Sequence, residues 1–165
     1  MAKPLLKPSG NFPLAGLGKR LAAMFYDSLL VIALVMVLTL IYQQVVLRLI
    51  YGADKLQQLS ESGQLDIDPL LSTLLLFSVF AFFAKFWTHT GQTLGMQVWG
   101  VRVQNKDGSA ISLWQALLRF FVAILSLLLG GLGYFWLVFS AKKATWHDLY
   151  SDSVVIQLPK NAHKK

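Results

Sequence analysis

Residues Leu21 to Tyr42 read LAAMFYDSLLVIALVMVLTLIY, with Asp27 the single charge in the stretch. At ~1.5 Å per residue, a helix of this length reaches across a hydrocarbon layer roughly 30 Å thick. The stretch is therefore predicted to cross a membrane, and the rest of the chain must be read with lipid as a solvent. Composition agrees, because 165 residues that are 55% hydrophobic and 14% charged depart far from the make-up of a soluble domain. Lys3, Lys7, Lys19 and Arg20 precede the apolar run, which is too long for a signal-peptide core, so the helix is expected to stay as an anchor.

Working outward, Val45 to Leu47 keep the apolar pattern and place the first span at about 21–47. Residues 48–68 set Asp54, Glu61, Asp66 and Asp68 against Arg48 and Lys55, with a turn signal at Ser60 to Gly63, and read as an exposed loop. Asp68 before Pro69 suits a helix N-cap, and residues 70–88 form a second span interrupted only by Lys85. Residues 89–112 change character: four glycines, a β-forming Val98-Val101-Val103 run and an Asn105-Lys106-Asp107-Gly108 turn predict a small hairpin at the cytoplasmic surface. Ser112 followed by Gln115 has capping-box spacing and starts a helix near Leu113.

The apolar segment 113–140 contains 21 uncharged residues from Phe120 to Ser140, broken by Gly130, Gly131 and Gly133. Two paths fit it, one glycine-weakened crossing or two short helices that turn back at the glycines. In the tail, 141–165, Asp152 to Leu158 resembles a short strand that could pair with the one around Val101. The fold class is thus an all-α membrane protein with two transmembrane helices, a third Gly-interrupted apolar segment and a small cytoplasmic β element.

Basic residues cluster before the first span, between Lys85 and Arg119, and in the tail, leaving Arg48 and Lys55 in the remaining loop. The positive-inside tendency then puts both termini and the glycine-rich connection in the cytoplasm, which needs an even number of crossings and favours the turned-back path. The same reading explains the net charge of +7 without nucleic acid, since the lysines flank apolar runs. Absent cysteine excludes disulfides and thiolate metal sites. No nucleophile elbow, P-loop or HExxH appears, so no enzyme activity, metal or cofactor is expected. Trp87, Trp99, Trp114, Trp136 and Trp146 fall near helix ends and read as interfacial anchors.

Asp27 is the sharpest chemical signal, because an ionised carboxylate inside an apolar helix costs ~2.5 to 3.5 kcal/mol on insertion scales unless it is compensated. It needs a partner or a proton. Lys85 near the end of the second span is the predicted partner; alternatively Lys85 reaches outward to lipid phosphates and Asp27 keeps its proton. His147, Asp148 and Asp152 lie close in sequence, and a surface cap that ties the tail to the hairpin suits them better than a metal site. Gly91 and Gly95 could nest an anion through backbone N–H groups, but two tight bends around Thr93 are the favoured reading.

These residues resemble the RDD family of membrane proteins, named for one arginine and two aspartates. Arg20 and Asp27 match its opening. Gly91-Gln92-Thr93-Leu94-Gly95, with Val101-Arg102-Val103 and Asp107-Gly108, looks like its central segment, although Met96 stands where a basic residue is common. Trp146-His147-Asp148 followed by Ser153-Val154-Val155 looks like its closing motif. The resemblance implies a bacterial inner-membrane location and a role for which transport, including sodium/proton exchange, has been proposed.

Two functional classes remain. One is a transport-related protein, for a monovalent cation, proton or small solute, with Arg20, Asp27, Lys85, His147 and Asp148 as its polar network. The other is a scaffold or assembly subunit in which those groups, with Gly91, Thr93, Gly95 and Ser153, dock loop and tail onto the helices. Two or three spans enclose no solute path alone, so transport implies a homo-oligomer or a larger membrane partner in addition to lipid.

Overall fold

In the computed structural model, residues 5–52, 55, 58, 61–62, 68–141 and 143–159 are described. Ser60, Gly63, Lys3, Asp54, Asp66, Lys142, Lys160, Lys164 and Lys165, which the turn and charge readings used, lie outside them. The chain divides into two compact units, Leu29–Ala81 and a second that joins Met1–Ser28 to Phe82–Lys165.

The described residues include two helices long and apolar enough to cross a membrane. The first begins as α1 (Leu17–Ile41), passes through a π-helical turn (Tyr42–Leu47) and ends in α2 (Arg48–Tyr51). It outlasts the predicted boundary at 47 because Leu49, Ile50 and Tyr51 keep the side chains apolar, and it stops where Gly52 takes φ 77. The second is α3 (Pro69–His89), whose orphan amides at Leu70 and Leu71 donate to Asp68 Oδ1 at 2.8 and 3.3 Å. The other oxygen of Asp68 accepts from the Tyr42 hydroxyl at 2.6 Å, which ties the first long helix to the start of the second within the 29–81 unit.

The second unit holds the remaining elements: α4 (Leu94–Val98), β1 (Val101–Gln104), α5 (Leu113–Leu128), α6 (Leu132–Phe139), α7 (Trp146–Tyr150) and β2 (Val154–Gln157). Strands β1 and β2 are antiparallel, Val101 opposite Gln157 and Gln104 opposite Val154. The predicted pairing of tail and central strand is present, but the hairpin expected within 89–112 is not. The turn at Asn105 does form, with Asn105 N donating to Ser109 O at 2.9 Å. Its returning arm is short, because the Ser112–Gln115 capping box opens α5 three residues later.

Residues 5–15 form a strap across this sheet. Ala15 N donates to Val155 O at 2.9 Å, Gln157 N to Pro13 O at 2.8 Å, and Leu6 N to Gly108 O at 3.1 Å. Helices α5 and α6 meet at 96° where Gly130 and Gly131 take φ 68 and 81. A straight third helix is thereby excluded. Gly133 keeps α6 close, since a Cβ there would lie 2.5 Å from Ser126 Oγ and 2.9 Å from the Trp146 ring.

Candidate functional site: two polar junctions

The first junction gathers Arg20 from α1, Arg119 from α5 and Asp148 from α7, all buried. Asp148 Oδ2 accepts from Arg20 Nη1 at 2.5 Å and from Thr145 N at 3.1 Å, while Oδ1 accepts from Arg119 Nη1 at 2.6 Å. Arg20 Nε also donates to Ala15 O at 2.9 Å, and Arg119 Nη1 to Ser153 Oγ at 2.9 Å. Trp87 faces the Arg119 guanidinium at 5.5 Å. Trp87 is therefore not an interfacial anchor but a wall of this junction, whereas Trp99, Trp114 and Trp136 are exposed.

Electrostatics follow from burial and neighbours. Burial pushes the Asp148 carboxyl up, but the Arg119 and Arg20 guanidiniums pull harder and hold it well below the usual carboxylate range. It is ionised at any physiological pH. His147 sits beside it with Nε2 2.9 Å from Thr145 Oγ1 and its ring 4.7 Å from that of Tyr134. Burial first, then the charge of Arg119, drives His147 down to about 3, so the imidazole is neutral.

The second junction is built around Asp27. Thr93 Oγ1 donates to Asp27 Oδ2 at 2.5 Å and Gly95 N donates to Oδ1 at 2.9 Å. Thr93 is also the N-cap of α4, accepting from Met96 N at 3.2 Å. Gly95 has to be glycine for this contact: a Cβ would meet the Ala23 carbonyl and lie 2.8 Å from Asp27 Oδ1, forcing the loop off α1. Gly91, at φ 71, accepts from Val103 N at 2.8 Å and turns the loop onto β1. Gln92 Nε2 adds a bond to Val101 O at 2.8 Å.

The predicted Asp27–Lys85 pair does not form. Lys85 is exposed, and a hydroxyl and a backbone amide compensate the carboxylate instead. Among the described residues no group of three or more His, Asp or Glu could hold a metal ion. Sequence reasoning missed Arg119, counting it only toward the charge balance. The signal was available: Arg119 is the single charged residue in Leu113–Leu128, as Asp27 is in Leu21–Tyr42.

Arg20, Asp27 and Asp148 thus sit at the two places where loop and tail meet α1. The model of the RDD family matches residues 14–152, which takes in both junctions. The chain belongs to the RDD family. No curated protein and no solved structure matches it. In this RDD chain the arginine and the second aspartate form one ion cluster, joined by Arg119, while the first aspartate holds the Gly91–Gly95 loop.

Proposed function

We propose that this RDD protein is a multi-pass protein of the bacterial inner membrane that acts as a scaffold or accessory subunit, presenting a rigid cytoplasmic cap rather than carrying a solute or catalysing a reaction. The observation that carries this reading is that both oxygens of Asp27 and both of Asp148 are already held by donors of the chain itself. A carrier group must exchange its partners. These acids staple.

The strap and sheet support a topology with both termini on one side. Residues 13–15 precede the first span, β1 lies between the second span and α5, and β2 follows α6, yet all three bond together. Bonded backbone lies on one side of a bilayer, so with two crossings by α1–α2 and α3 this supports α5–α6 leaving and re-entering the same face. The eight residues of α6 reach only ~12 Å, too short to cross alone. Helix α5 is built inside out, with Arg119 and Ser126 buried while Trp114, Phe121, Leu125 and Leu128 are exposed, as lipid contact favours. Reporter fusions test this arrangement. A periplasmic signal is expected after Gly63 and cytoplasmic signals after Asp107 and Lys165; a periplasmic signal at Lys165 overturns it.

Transport within a homo-oligomer or with a larger membrane partner is the second reading. It is favoured by Ser126 Oγ, His147 Nδ1 and Trp87 Nε1, three buried polar atoms that lack hydrogen-bond partners. In inverted vesicles the scaffold reading expects cation-dependent proton flux no greater than that of empty vesicles. Flux that the wild-type chain supports and an inserted, folded Asp27→Asn variant lacks overturns it.

A further inference from the structure

Three arginines are buried among the described residues, Arg20, Arg102 and Arg119. Two of them share Asp148. Arg102 has no acidic partner among the described residues, although its residue is only 1% exposed. Its Nε donates to Gln104 Oε1 at 3.0 Å and its Nη2 to Pro8 O at 3.0 Å, both neutral acceptors, and Nη1 has no partner. A guanidinium stays protonated in proteins, and a charge removed from water without a counter-charge is costly. Among the described residues the site is short of one negative charge.

The surroundings say where that charge enters. Gly91 lets the Arg102 stem lie flat, since a Cβ there would be 2.9 Å from Arg102 Cγ. Over the guanidinium lie the Pro8 carbonyl and the Phe12 ring, the latter at 5.7 Å, both from the strap. The strap from Leu5 to Ala15 carries Lys7 and no acidic residue, so its charge adds to that of Arg102. It runs directly into α1, the first apolar span, which brings it to the level of lipid headgroups. The planar fork of an arginine matches a tetrahedral oxyanion through paired N–H donors.

We propose that Arg102, beneath the N-terminal strap, is a binding site for a phosphate-type oxyanion, which bonds Nη1 and Nη2 in place of the Pro8 carbonyl. The phosphate is either that of a lipid headgroup or free in solution, and the experiment separates the two. The full chain is purified in a maltoside detergent, which carries no phosphate, and its thermal midpoint is followed in two titrations. One adds inorganic phosphate against chloride at equal ionic strength; the other adds short-chain phosphatidylglycerol against an uncharged lipid. One titration is expected to raise the midpoint by about 5 °C well above the dissociation constant. The arm that responds names the source. Arg102→Gln abolishes the shift and Arg102→Lys retains a smaller part of it. No shift in either arm, or an equal shift in R102Q, overturns the site. Should R102Q not fold, dicarbonyl labelling of the wild-type chain with peptide mass spectrometry reads the same contact. The effective ligand then protects Arg102 at least fivefold and leaves exposed Arg48 unchanged; labelling of Arg102 that is equal with and without both ligands overturns the proposal.

Discussion

Asp148→Asn is expected to destabilise the chain by about 3–5 kcal/mol, the cost of stranding buried charge when one member of a buried pair is removed. The residue is 2% exposed, so water does not screen the loss. Here the damage is doubled, since Arg20 and Arg119 are left facing each other across an uncharged amide. The capping box on Thr145 weakens with it, because Asp148 Oδ2 also accepts from Thr145 N. Chemical or thermal unfolding in detergent measures the loss, and limited proteolysis of the folded variant should release the tail, β2 included. Combining Asp148→Asn with Arg119→Met should recover part of the stability, as one stranded cation is removed. A loss under 1 kcal/mol would mean that the cluster is not what holds the tail.

The second large effect is on pH. An unfolded histidine titrates near 6.5, whereas folded His147 is held at about 3. Above 6.5 the ring is neutral in both states and favours neither. Between 6.5 and 3 the unfolded chain takes up a proton that the folded chain refuses, so stability falls as pH falls, by roughly 1.4 kcal/mol per pH unit. The groups facing His147 are Arg119, Asp148, Arg20, Tyr134 and Thr145. Asp148 contributes in the same direction but in a lower window: its folded carboxyl is depressed, so its stabilisation is present above an unfolded value of about 3.9 and is lost below it. The range from 6.5 to 4.5 therefore isolates the histidine, and about 3 kcal/mol should disappear across it. His147→Asn should flatten the slope there, whatever it does to stability at neutral pH. An unchanged slope in that variant would show that the imidazole is not the group buried uncharged.

The sequence and the structure diverge at the partner of Asp27, and the reason generalises. In the sequence, Lys85 is the opposite charge best placed to meet Asp27. A carboxylate in a helix interior is equally relieved by a hydroxyl and a backbone amide, and neither is recognisable as a partner in a linear sequence. Thr93 and Gly95 were visible as turn residues, but 66 and 68 positions separate them from Asp27. Arg119 was hidden for the opposite reason. Counted with other basic residues it resembled an interfacial charge, and only the approach of α7 to α5 gives it an acid.

What the linear order of residues determined by itself is whatever depends on local spacing. That covers the two apolar helices, the Ser112 cap, the break at Gly130 and Gly131, the strand character around Val101 and Val155, and the need for Asp27 to be compensated. Periodicity, capping and chain length act within a few residues, so they are written where they operate. Tertiary structure alone decided which groups do the compensating, that the strap bonds the tail strand, and that Arg102 is enclosed without an acid among the described residues. Burial and ion pairing are properties of surfaces brought together by folding, and distance along the chain carries no information about them.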